Sequence, residues 1–113
     1  MAQPRDVAFD DVWRRIHALE QTTVPLASQG RIDIVKVDER GILRRTSRGN
    51  VSHMSIESFR WTVDALNRRQ HMSREDILEG IRRWESSGVV AILAATGLYE
   101  LTKEPNVGLR VRR

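Results

Sequence analysis

The chain contains no cysteine, which removes disulfide scaffolds and thiol chemistry and makes a cytoplasmic setting the simplest expectation. No apolar run reaches the ~18 residues that a membrane span requires. Met1 to Asp10 lacks the basic-then-apolar order of a signal peptide. Lysine is nearly missing, with 2 residues against 17 arginines. Glycine-rich phosphate loops are absent, since Gly30, Gly41 and Gly49 stand singly at turns. No serine-centred nucleophile elbow is present.

Metal chemistry is equally poorly supplied. His17, His53 and His71 are widely separated, whereas a zinc site needs three or four convergent donors. A surface or hydrogen-bonded role is expected for each. A restriction-type nuclease core wants an Asp on one strand and Glu-x-Lys on the next, to hold a divalent cation. Asp33 meets the first requirement, but the following strand has no Glu-x-Lys, and Glu100 and Lys103 are wrongly spaced. The chain is therefore expected to be non-catalytic, with no metal and no cofactor.

What is present is an ordinary globular composition: 113 residues, 40% apolar and 30% charged, enough for one domain with one core. The net charge is +4 and the pI about 10.6. Arginine is the better bidentate phosphate ligand. The same arginine bias follows from a GC-rich genome, and composition alone does not separate the two.

The patterning predicts an α+β domain, with a two- or three-stranded antiparallel sheet packed on about four helices. Residues 1–8 read as a leader, 9–103 as the domain and 104–113 as a basic tail carrying Arg110, Arg112 and Arg113. Asp10 or Asp11 is placed to cap a first helix reaching about Glu20, with Phe9, Val12, Ile16 and Leu19 as its core stripe. Thr22 to Gly30 reads as a loop. Arg31 to Val37 and Ile42 to Ser47 read as strands joined through Asp38-Glu39-Arg40-Gly41, with Gly41 in the positive-φ position of a bulged hairpin. Val51 to Met54 offers a short third strand. Ser55 caps a helix whose stripe is Ile56, Phe59, Val63 and Leu66, with Arg68 and Arg69 in its last turn. Ser73 and Asp76 have capping-box spacing ahead of Ile77, Leu78 and Ile81. A last helix is expected from Gly88 to Thr96, closed by Gly97, followed by a short strand from Leu98 to Thr102.

The candidate binding residues are arginines. Arg44, Arg45 and Arg48 crowd the second strand, with Arg31 and Arg60 as possible helpers. Adjacent strand residues point to opposite faces, so Arg44 and Arg45 cannot share one patch. If Ile42 faces the core, Arg44 and Thr46 go with it. A charge-guarded edge strand explains the same residues without a ligand. Arg68-Arg69 and Arg82-Arg83 read as cations at helix C-termini. The helices after Ser73 do not read as helix-turn-helix, because Gly88 to Ala95 offers no polar side chain to base edges. A helix apolar all round is buried, either in the core or in a subunit interface. An exposed tryptophan beside arginine would favour stacking or an interface, and Trp61, next to Arg60, is the candidate among Trp13, Trp61 and Trp84.

In order, a first helix is followed by "RIDIVKVDERGILRRTSRGNVSHMSIESF", "WTVDAL", "MSREDILEG" and "SSGVVAILAAT". This resembles a small α/β module found beside nuclease or helicase domains in prokaryotic restriction and defence proteins. That module also pairs a hairpin bearing a V-x-x-x-G-I turn with an Ile-capped helix. The resemblance spans about Phe9 to Thr96 and rests on structural motifs. It implies a DNA-associated, bacterial role without catalytic residues of its own. The chain departs from the pattern in that no nuclease or ATPase domain accompanies the module within these residues. The expected partners are nucleic acid or, alternatively, another protein or a second copy met through the apolar final helix.

Overall fold

The computed structural model describes residues 6–27, 30–104 and 106–112; most of the expected leader and the last arginine of the expected tail lie outside them. α1 (Phe9–His17) starts after Ala8, which makes no side-chain cap. Asp10 and Asp11 sit inside its first turn instead, where carboxylates still favour the positive helix end. Val12 and Ile16, four residues apart, are fully buried.

β1 (Thr23–Pro25), β2 (Arg31–Asp38), β3 (Gly41–Thr46) and β4 (Val51–Ser55) form one antiparallel sheet in chain order. β1 lies in the stretch expected to be loop. Only Val24 of its residues is buried, so its apolar signal is minimal, and proline is tolerated because β1 is an edge strand. Ile32, Ile34, Val37, Ile42 and Met54 point inward. The register slips between Ile34 and Lys36, so the bulge is on β2 and not at Gly41.

Gly41 keeps the expected positive φ, +142°, at the mouth of the hairpin. A Cβ there would stand 1.9 Å from the Met54 carbonyl oxygen, so β3 and β4 approach only because the side chain is missing.

α2 (Ile56–Arg69) is capped by the Ser55 hydroxyl, which accepts from the Glu57 amide, and it buries Phe59, Val63 and Leu66. It ends at Gln70 in the left-handed region. β5 (His71–Ser73) leads into α3 (Arg74–Ile77), a single turn closed by the expected capping box: the Asp76 amide donates to Ser73 Oγ at 3.1 Å and the Ser73 amide to Asp76 Oδ2 at 3.0 Å.

α4 (Arg83–Ala95) begins five residues before the expected Gly88. Arg82 and Arg83 therefore open a helix and do not close one. The break between α3 and α4 falls at Gly80, against which the Trp61 ring packs.

β6 (Tyr99–Thr102) and β7 (Gly108–Val111) join β5 in a second antiparallel sheet, ordered β5-β7-β6. The expected basic tail is thus the central strand of a sheet. Leu109 and Val111 are buried, while Arg110 points out and pairs with Glu100 at 2.6 Å. The two-residue alternation through Val107, Leu109 and Val111 was visible, but the interleaved arginines made it read as a tail.

The class is α+β as expected, with four helices among the described residues but two sheets where one was anticipated. α2 and α4 each touch strands of both sheets. Val89 to Leu93 are all buried in this core. Of the two placements open to this apolar stretch, core or subunit interface, the described fold puts these five residues in the core.

Gly41→Ala is expected to cost about 2 kcal/mol or more in chemical denaturation, since both the positive φ and the Met54 carbonyl oppose a methyl group. Asp76→Asn tests the capping box. The amide and hydroxyl of Ser73 hold the Asp76 carboxyl below its ordinary pKa, with the Arg69 charge assisting. A depressed folded pKa stabilises above the unfolded value and loses that contribution as pH falls through the folded one. The variant should be less stable by about 1 kcal/mol at neutral pH, with the difference closing as acid titration passes below the ordinary carboxylate range.

Candidate nucleic-acid interface

Strand alternation divides the arginines of β3. Arg44 goes inward with Ile42 and is only 7% exposed. Its Nε donates to Ser52 Oγ at 3.1 Å and its Nη2 to the Trp84 carbonyl at 2.9 Å. The guanidinium also lies 5.3 Å from the centre of the Trp84 ring. Burial pulls its pKa below the ordinary arginine value and the charge of Glu85 pulls it back. Buried and turned toward the core, with two of its donors engaged inside the protein, Arg44 is not on the exposed basic face where it was expected as a phosphate ligand.

Glu85, 3% exposed, is the acidic counterpart of this network. It accepts from the Ser55 amide at 3.1 Å and the Ser58 hydroxyl at 2.7 Å. Its carboxylate therefore lies at the N-terminus of α2 while its backbone belongs to the first turn of α4, and both positive helix ends stabilise it. Glu85 also lines a cleft of about 470 Å³ with His53, Ser58, Glu79 and Arg82. Both carboxylate oxygens are already engaged, which makes it a clamp between helices. Among the described residues, no group of three His, Asp or Glu is placed to hold a metal ion.

The opposite face of the sheet is solvated. Arg31, Lys36 and Arg45 point outward from β2 and β3, and Arg48 stands exposed in the β3–β4 turn. Arg31 and Arg45 are diagonal neighbours across the ladder, a spacing of about 7 Å, because Asp33 is the residue directly opposite Arg45. Asp33 Oδ1 accepts from the Thr23 hydroxyl at 2.7 Å, and its carboxylate keeps a negative charge on this face beside them. None of these four cations forms an ion pair with a described residue. Elsewhere five arginines are locally neutralised, Arg14 by Asp11, Arg60 by Glu57, Arg68 by Asp64, Arg69 by Asp76 and Arg110 by Glu100, while exposed Arg15, Arg40, Arg82, Arg83 and Arg112 form no ion pair with a described residue.

The remaining expected residues fall elsewhere. Arg60 lies over the Phe9 ring at 4.5 Å. It sits on α2, which packs on the inner side of the sheet, and so stands across the sheet from Arg31 and Arg45. Trp61 is half-buried, with Gly80 so close that a Cβ would come within 2.0 Å of its ring. It packs against the core, where its ring meets Gly80. Trp84, 45% exposed, is the tryptophan that meets an arginine, the buried Arg44. Lys36 was not anticipated; its place in an alternating strand was legible, but the bulge that turns it outward was not.

No family model matches the chain, and no curated protein or solved structure matches it. No described helix is long and apolar enough to cross a membrane.

Adjacent arginines should behave oppositely. Arg44→Ala is expected to lower unfolding stability by about 2 kcal/mol or more, because it removes the hydrogen bonds to Ser52 and the Trp84 carbonyl and leaves buried Glu85 without its neighbouring cation. Arg45→Ala should leave stability within about 0.5 kcal/mol of the parent. Urea denaturation of the two variants reads both outcomes.

Proposed function

We propose that this chain is a non-catalytic, nucleic-acid-associated module of a bacterial defence or DNA-processing system, acting in the cytoplasm. The observation that carries the reading is the outer face of the four-stranded sheet. Arg31, Lys36 and Arg45, with Arg48 at the hairpin end, form an exposed basic surface in which none of the four is ion-paired with a described residue, whereas Arg14, Arg60, Arg68, Arg69 and Arg110 each meet a carboxylate. Exposed guanidinium groups on a rigid ladder suit phosphate oxygens, whose charge they neutralise with release of counterions. Contacts of this kind fix position and register without reading sequence. The setting comes from the resemblance of the hairpin–helix order to modules of restriction and defence proteins. The net charge of +4 supports the same partner class.

Salt titration tests it. The protein should bind a short duplex at about 50 mM salt and lose affinity steeply with added salt. Replacing Arg31, Arg45 and Arg48 together by alanine should weaken binding at least tenfold and flatten the log–log salt slope by about 2–3 units, close to one per lost contact. Absence of binding at low salt, or an unchanged slope in the triple variant, defeats the reading.

A further inference from the structure

α4 opens in a way that local rules disfavour. Arg82 and Arg83 put two cations at the positive end of a helix, and neither forms an ion pair with a described residue. Arg82 is the N-cap yet offers no capping hydrogen bond. Directly after them comes Trp84, 45% exposed, one of two large apolar side chains that the described fold leaves in the open. Sequences break local rules mainly where a site requires it.

The tryptophan is not loose. Arg44, anchored on β3, places its guanidinium 5.3 Å from the ring centre and donates to the backbone carbonyl of the same residue. The guanidinium restricts the indole and the hydrogen bond fixes the backbone that carries it before any ligand arrives, which lowers the ordering cost of stacking. The platform stands beside edge strand β4: Arg44 pairs across the ladder with Ser52, and the next pair toward the turn, Arg45 with Val51, faces the outer surface. Trp84, held by inward-facing Arg44, lies on the inner side of the sheet, so a strand on the basic outer face reaches the aromatic plane and the two cations that precede it in the chain by passing around edge strand β4.

We infer that Trp84 is a stacking platform for an unpaired nucleobase, with Arg82 and Arg83 holding the flanking phosphates, so that the module prefers single-stranded over duplex nucleic acid. The inference rests on the phosphate-binding reading of the sheet face and adds the form of nucleic acid recognised. Base–aromatic stacking is tolerant of sequence, because every base has a π-face. A duplex keeps its bases stacked on one another and presents only phosphates to the same surface.

The test compares a 5′-labelled thymidine strand, a duplex with the same number of phosphates and an abasic strand of the same length, by fluorescence anisotropy at low salt. The parent protein should bind the thymidine strand about tenfold more tightly than either the duplex or the abasic strand. Trp84→Ala should erase that preference while leaving duplex affinity and salt slope unchanged, and Trp84→Phe should retain most of it. The abasic strand reads stacking on the intact protein, so the outcome stands even if Trp84→Ala folds poorly. Equal, salt-dependent binding of all three nucleic acids by the parent protein overturns the platform and leaves the phosphate face standing. Binding of none of them overturns both.

Discussion

A guanidinium carried into the interior must find acceptors there, or it costs more than the fold can supply. In this chain the acceptors for Arg44 are the Ser52 hydroxyl and the Trp84 carbonyl, and the compensating charge is Glu85. Glu85 in turn fastens the start of α2 through Ser55 and Ser58. One polar chain thus joins the β3–β4 hairpin, the start of α4 and the start of α2. Apolar contact alone would hold these elements together but would leave their relative rotation poorly specified. The hydrogen bonds fix it, and passage of Arg44 beneath Gly88 requires a residue without a side chain at that point of α4.

Fixing the hairpin also sorts its charges. Once Ile42 and Arg44 face inward, Arg45 must face outward, and the same alternation turns Arg31 and Asp33 to solvent on β2. The bulge between Ile34 and Lys36 then resets the phase, so that Val37 returns to the core while Lys36 joins the exposed cations. The proposed phosphate surface is a by-product of core packing. The side chains that define it have few duties in the core, which is why they are free to serve a ligand.

Much of this was legible in the residues. The helical stripes of α1 and α2, the Ser55 cap, the Ser73–Asp76 box and the split between Arg44 and Arg45 all follow from short-range rules. The elements that escaped are those whose partners are remote. β1 has one buried residue and exists because β2 lies beside it; β7 carries arginines that mark it as tail until β5 and β6 are seen flanking it. α4 starts earlier than its apolar run suggests because Trp84 and Glu85 look like linker until Arg44 is found bonded to one and electrostatically coupled to the other. At the candidate site, strand alternation could exclude a single patch but could not say which arginine would be buried. That depended on Glu85, forty-one positions further along the chain than Arg44. Trp61 and Trp84 each neighbour arginine in sequence, and only the close approach of Gly80 to the first decides between them.

The order of the second sheet bears on how the molecule is made. β5 and β6 are not paired with each other; both are held by β7, which is synthesised after them. During translation the four-stranded sheet can close its ladders as each successive hairpin emerges. The three-stranded sheet cannot begin until the segment around Leu109 has cleared the ribosome. Until then Met72 and Tyr99 have no strand between them, and the side of α2 and α4 that this sheet covers remains open to chaperones or to premature association.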